Sequence, residues 1–157
     1  MQGPRLAARP WVRSVAVLRL PRDLYVEMVA HCIAGLPEEA CGLLAGRAGT
    51  DGVERCYPAK NAAASARVYT VDSLDLLRAD RDAERAGLAL TGVFHSHTHT
   101  DAYPSPTDVA QAPDPLWHYV VVSLRDVQPM VRSYRITGGT VEEESVVLLG
   151  HAVPATL

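Results

Sequence analysis

An apolar run, Leu88–Phe94 (LALTGVF), passes without a turn into alternating histidines, and this junction limits what the chain can fold into more than any other feature. The run has the length and composition of a buried strand. Side chains two apart on a strand share a face, so His95 and His97 leave the strand end on the same side. Any fold must therefore bring that strand end to a place where two imidazoles can be solvated or used. The stretch from His97 onward, H-T-H-T-D-A-Y-P-S-P-T-D, is polar, contains two prolines and reads as a loop.

Asp108 lies eleven residues past His97. Two imidazoles and a carboxylate are typical ligands of a catalytic zinc ion that keeps one position open for water. The H-x-H pair alone is weak ground, because a solvent-facing loop explains it equally well in a chain with six histidines. Ser105-Pro106-Thr107-Asp108 also reads as a helix start, with a cap, a proline in the first position and an acid in the third. Ser105 and Asp108 could simply open a helix over Pro106–Ala112. A capped start would also hold the Asp108 carboxylate in place. His99 is expected to be exposed or behind the ligands, and Asp101 follows His97 too closely to turn back. His31 on a helix, His118 in a strand and His151 in the tail are not expected as ligands.

Activating water also needs a proton acceptor that is not itself a ligand. Glu38 and Glu39 stand directly before the apolar run Cys41–Ala45, where a strand edge could carry one. On composition alone, a pair of solvated acids accounts for them as well.

The rest of the chain alternates strand and helix patterns. Val15–Leu20 predicts a strand, and Leu24, Met28, Cys32 and Leu36 predict a helix over Arg22–Leu36. Asp51-Gly52 predicts a hairpin turn into a returning strand Val53–Tyr57. Lys60–Ala66 reads as a loop, Val68–Val71 as a short strand, and Ser73 as the cap of a helix that ends at Gly87. Trp117–Leu124, Met130–Ile136 and Val141–Leu148 predict three more strands, the last two joined at Gly138-Gly139. The class is α+β, or mixed α/β, around one central sheet. A single domain is expected over 15–149, between a flexible N-terminal extension, 1–14, and a frayed tail, 150–157.

Composition narrows the functional classes. With 157 residues, 48% hydrophobic and 21% charged, the chain can bury a full core. A net charge of −3 gives no basic field, so nucleic acid is not an expected partner. No apolar run approaches the ~20 residues that span a bilayer. Three cysteines without C-x-x-C, and no apolar stretch of the signal-peptide kind, point to a reducing cytoplasm. Oligomeric state is not legible.

Taken together, these segments resemble the JAMM (MPN+) metalloprotease family, whose pattern is a glutamate upstream of His-Ser/Thr-His, then seven residues, then Ser-x-x-Asp. Here His95-Ser96-His97 is followed by Thr98 to Pro104 and then by Ser105-Pro106-Thr107-Asp108, without a gap. The upstream form P-x-E-x-C-G-L-L-x-G, Pro37 to Gly46, is similar to that of small bacterial members and selects Glu39 over Glu38. E-E-A-C-G, H-S-H-T, A-Y-P-S-P-T-D-V, H-Y-V-V-V-S-L-R-D and R-S-Y-R-I resemble an actinobacterial branch, and the likeness runs over roughly Val15–Glu143.

The resemblance implies a JAMM/MPN fold, a twisted and mostly antiparallel sheet flanked by helices. It implies that His95, His97 and Asp108 hold Zn²⁺, that Glu39 is the general base and that Ser105 donates a hydrogen bond to the developing oxyanion. It also implies a substrate: a ubiquitin-like sulfur carrier protein ending in Gly-Gly, from which cysteine or a C-terminal extension is released. An inactive scaffold of the same fold, binding a ubiquitin-like partner, is the alternative. It is disfavoured because such scaffolds usually lack the ligands. A cupin-type metal protein is disfavoured by the long amphipathic pattern before the site.

Overall fold

The structure, a computed structural model, describes residues 16–150. The expected extension 1–14, Val15, and residues 151–157 of the expected tail, His151 included, lie outside the described residues. In chain order the elements are β1 (Val17–Pro21), α1 (Arg22–Ala34), β2 (Cys41–Gly46), β3 (Arg55–Ala59), α2 (Ser73–Arg85), β4 (Ala89–His97), α3 (Pro106–Ala110), β5 (His118–Ser123), β6 (Met130–Thr137) and β7 (Thr140–Leu149). One seven-stranded sheet runs β1-β7-β6-β5-β4-β2-β3. Two pairs are parallel, β1–β7 and β4–β5, and the other four are antiparallel. The mixed α+β class and the mostly antiparallel sheet are therefore as expected. Among the described residues, no helix is long and apolar enough to cross a membrane.

The period of two along β4 and β5 sorts their side chains into two clusters. Phe94, Val120 and Val122 join Leu18, Leu20, Leu44, Met28 and Cys32, so α1 covers this face. Val93, Tyr119 and Val121 join Leu43, Tyr134, Ile136 and Ala79 on the other face. Burying apolar surface at roughly 25 cal/mol per Å² makes each face a major source of stability. By the same alternation His95 and His97 leave on the side of Val93.

Register decides what meets at the end of β4. Antiparallel pairing sets Cys41 opposite His95, which brings the start of β2, with Glu39 and Ala40 just before it, to the end of β4. Parallel pairing sets His97 opposite Ser123. Parallel neighbours need a long crossover, and residues 98–117, with α3 inside them, carry the chain from one end of the pair to the other. Asp108 thus passes the end of β4 because of the topology.

Several expectations shift. β4 continues through His97, where the loop is expected to begin, because β5 offers it a partner to the last residue. The turn after β2 closes at Arg47–Thr50, with the Thr50 N–H donating to the Arg47 carbonyl at 3.1 Å and Gly49 at φ +76°. Asp51-Gly52 is not that turn. Its neighbourhood pairs with β1 instead: the Arg19 N–H reaches the Asp51 carbonyl and the Val53 N–H reaches the Arg19 carbonyl, which delays β3 to Arg55. Gly46 is required here, since a Cβ would stand 2.0 Å from the Gly52 carbonyl oxygen.

No strand forms over Val68–Val71, only an isolated bridge from Asn61 to Val71. The Asn61 side chain takes up the Val68 carbonyl (3.1 Å) and the Thr70 N–H (3.0 Å), groups that a ladder would have used. Asp72, not Ser73, caps α2, accepting from the N–H groups of Leu74 and Asp75 at 3.0 and 3.2 Å. Helix α1 stops at Ala34 and α3 at Ala110, both short of the predicted ends. Between Leu44 and Ala45 the β2–β4 register slips, leaving Thr91 as an extra residue on β4.

Candidate metal centre

Four segments meet at the end of β4. Nε2 of His95 and Nε2 of His97 lie 3.1 Å apart, and each faces the same Asp108 oxygen, Oδ2, at 3.1 and 3.3 Å. The three residues are buried, and their donor atoms fall within 4.8 Å of one another. The His97 ring is turned by its other nitrogen, since Nδ1–H donates to the Asp101 carbonyl at 2.8 Å. That bond assigns the proton to Nδ1 and leaves the Nε2 lone pair facing its neighbours, as a metal ligand requires. Asp101 therefore contributes its backbone, while its carboxylate is exposed and paired with Arg125. Tyr69 stacks on His95, ring centroids 4.2 Å apart and 18° between planes, and fixes the second imidazole.

Asp108 is held by the predicted capping box. The Ser105 N–H donates to Asp108 Oδ2 at 2.7 Å, and the Asp108 N–H donates to Ser105 Oγ at 3.1 Å. Ser105 Oγ thus accepts at the cap and keeps its own proton for another partner. Burial alone would raise the Asp108 carboxyl, but the adjoining His95 and His97 rings and the Ser105 N–H hold it well below the usual carboxylate range. Burial lowers His95 against the pull of Asp108. Burial also acts downward on His97, yet its bonds to Asp108 and the Asp101 carbonyl outweigh it and raise that ring.

Glu39 is 5% exposed, and its Oε2 is buried without a hydrogen-bond partner. A buried unpaired carboxylate oxygen is costly, so its placement is set by other bonds. The Glu39 N–H donates to the Ser65 carbonyl at 2.8 Å, and the Asn61 side-chain amide donates to the Glu39 carbonyl at 2.9 Å. The next residue, Ala40, donates its N–H to Ser96 Oγ at 2.8 Å and accepts from the Ser96 N–H at 2.9 Å. Burial raises the Glu39 carboxyl to about 7, with His97 pulling down and Asp108 pushing up. Glu38, one residue earlier, is exposed.

A cavity of about 680 Å³ opens beside this group, lined by Glu39, His97 and Ser105 and by Arg67, Thr98 and His99 among others. His99 is exposed. His31 lies elsewhere, its Nε2 against the Cys41 and Ala59 carbonyls at 3.0 and 3.2 Å. His118 pairs with Glu144 at 2.6 Å at the far end of β5. The three thiols are free, and burial pushes each up to about 12, which leaves them inert.

Asn61, Tyr69 and Ser96 support the site and were not singled out from the sequence. Ser96, which alternation places on the face of β4 opposite the two histidines, is buried there and also ties β4 to Ala40. Its position between two histidines was the available signal. Nothing local marks Asn61 or Tyr69.

Comparison with known proteins places the chain in a group. A family model described as prokaryotic homologs of the JAB domain matches residues 21–137. The chain is 47% identical over 134 residues to the CysO-cysteine peptidase of Mycobacterium tuberculosis, covering 85% of this chain and 92% of that protein. It is 42% identical over 97 residues to a probable TtuB-protein conjugate cleaving protease of Thermus thermophilus, covering 61% and 64%. A protein of Desulfitobacterium hafniense solved in solution superposes with a TM-score of 0.78 at 37% identity, covering 85% of this chain and 94% of that one.

Proposed function

The chain belongs to the prokaryotic JAB family, a JAB/MPN domain, and from this premise we propose that it is a zinc-dependent peptidase. Its reaction is hydrolysis of the bond after the C-terminal Gly-Gly of a ubiquitin-like sulfur carrier protein, releasing cysteine or a C-terminal extension. The names of its relatives in Mycobacterium tuberculosis and Thermus thermophilus support a peptidase acting on carrier conjugates.

One observation carries the reading. Glu39, whose carboxylate has a buried oxygen without a partner, lines a cavity with His97 and Ser105, beside the converging His95–His97–Asp108 donors. The donor set fits zinc: two neutral imidazole nitrogens and one ionised carboxylate, with the cavity beside them for water and substrate.

When bound, zinc supplies Lewis acidity, lowering the pKa of a water and polarising the scissile carbonyl. Glu39 takes a proton from the attacking water and passes one to the departing amine. Ser105 donates its hydroxyl proton where negative charge develops on the carbonyl oxygen. The water oxygen stays on the carrier as a carboxylate, the C–N bond breaks, and the amine leaves protonated. A carboxyl near pKa 7 before metal binding suits both halves of this exchange, though a bound cation draws it lower.

The test uses CysO carrying a C-terminal cysteine. Purified protein should hold about one zinc per chain and release free cysteine, chelation should abolish the release, and added zinc should restore it. His97→Ala should lose most of its zinc by elemental analysis. Full zinc in that variant, or cysteine release after complete chelation, overturns the assignment.

A further inference from the structure

Among the described residues, Arg67 is the one lysine or arginine lining the cavity beside Glu39 and His97, and the proposed chemistry leaves it unused. Among the described residues its guanidinium has no carboxylate partner, unlike those of Arg55, Arg125 and Arg135. Its segment is nonetheless anchored. The Arg67 N–H donates to Ser65 Oγ at 3.1 Å, the Ala66 carbonyl accepts from Thr98 Oγ1 at 3.2 Å, and the Ser65 carbonyl accepts from the Glu39 N–H at 2.8 Å. The backbone that presents Arg67 is thus bound to the residue after His97 and to Glu39 itself.

This inference rests on the hydrolase reading above. In a carrier bearing one added amino acid, the Gly-Gly side of the scissile bond is uncharged. The α-carboxylate of the added residue lies two bonds beyond the scissile nitrogen, and it is the only charge next to the reacting atoms. A longer extension moves that carboxylate away, and an isopeptide to a lysine side chain removes it.

We propose that Arg67 pairs with the free α-carboxylate of a single leaving amino acid. The site is thereby selective for carriers bearing one residue over carriers extended by a peptide or joined to a lysine side chain. A guanidinium fork matches a carboxylate in two parallel hydrogen bonds, and an exposed rim position lets it close on the substrate without displacing a native partner.

The experiment compares CysO ending in Gly-Gly-Cys as the free acid with the same protein as its C-terminal carboxamide. Wild-type protein should favour the acid by roughly tenfold in kcat/KM, mainly through KM, as one charge-assisted pair implies. Arg67→Gln should erase the preference by lowering kcat/KM for the acid far more than for the carboxamide, and Arg67→Lys should recover part of it. Dissociation constants for both adducts on zinc-loaded Glu39→Gln protein should show the same ratio without turnover. Equal losses on acid and carboxamide in Arg67→Gln would assign Arg67 to structure alone and overturn the proposal, as would a wild type blind to the difference. If wild type cleaves neither adduct, the hydrolase reading fails separately, and equal binding of the two adducts then overturns the Arg67 assignment as well.

Discussion

Two histidine–carboxylate clusters lie at opposite ends of the β4–β5 pair, and they are built on opposite principles. At the start of β5, Glu144 is fully enclosed: Oε1 accepts from His118 Nδ1 and Ser133 Oγ, each at 2.6 Å, and Oε2 accepts from Arg135 Nε at 3.0 Å. At the end of β4, Glu39 has its backbone secured from both sides, while its carboxylate keeps an oxygen without a partner. Both carboxylates are buried. Hydrogen bonds hold Glu144 below its ordinary value of 4.5 despite burial, whereas burial dominates at Glu39 and raises it to about 7. The same residue types make a closed structural knot in one place and an unsatisfied, reactive one in the other. What separates them is whether the surroundings complete the hydrogen bonds or leave one carboxylate oxygen without a partner beside a cavity.

The comparison breaks most sharply at Glu39. Glu39→Gln removes the proposed proton acceptor with little change in shape, so on that proposal hydrolysis of CysO–cysteine should fall by about 10²–10⁴-fold while zinc content and thermal stability hold. Glu38→Gln, on an exposed neighbour, should leave turnover near wild type. Near-normal turnover in Glu39→Gln, with full zinc, ends its role as base. Equal losses at both positions would point to a general field effect.

Ser105→Ala tests a residue that belongs to both worlds, a cap and a cavity-lining donor. As an oxyanion donor its loss should lower kcat on the order of 10²-fold with zinc retained. As a cap only, it should cost about 1 kcal/mol of stability with kcat nearly intact. Steady-state kinetics and a denaturation curve on the same variant separate the two.

Glu144→Gln should behave in the opposite manner to Glu39→Gln. Removing one member of a buried pair costs on the order of 3–5 kcal/mol, read as a lower denaturation midpoint, with activity per folded molecule unchanged. Its pH dependence follows from the lowered folded-state value. The unfolded carboxyl titrates near 4.5, so the ionised pair stabilises fully above that pH and the contribution fades as pH falls through the lower folded value. The stability gap between wild type and Glu144→Gln should therefore narrow below about pH 4.5. A gap constant from pH 7 to pH 3 would contradict the pairing.

Much of the candidate site was legible because its pieces are local. The two histidines share a face by strand periodicity, and the Ser105–Asp108 box lies within four residues. Glu39 could be picked over Glu38 only through family resemblance, because its nearness to the histidines depends on the β2–β4 register. The supports were not legible for the same reason on a longer scale: Ser96 and Ala40 are 56 residues apart, and Asn61 serves Glu39 across 22. The Val68–Val71 pattern favoured a strand by propensity, and one asparagine side chain overrode it by claiming the backbone groups of the ladder. The turn after β2 was misplaced because Asp51-Gly52 has a stronger local turn signal than the stretch around Gly49, and only the contact with β1 decides between them.

The slip in the β2–β4 ladder has an effect on parity. Leu90 packs into the same apolar cluster as Val93, although the two stand three apart and plain alternation would put them on opposite faces. The supernumerary Thr91 resets the count. Without it, one strand could not seat Leu90 in the cluster at its beginning and still turn both imidazoles toward the cavity at its end. The strand carries two different phases, one dictated by packing and one by chemistry, and the bulge is the joint that lets a redesign alter either without rewriting the other.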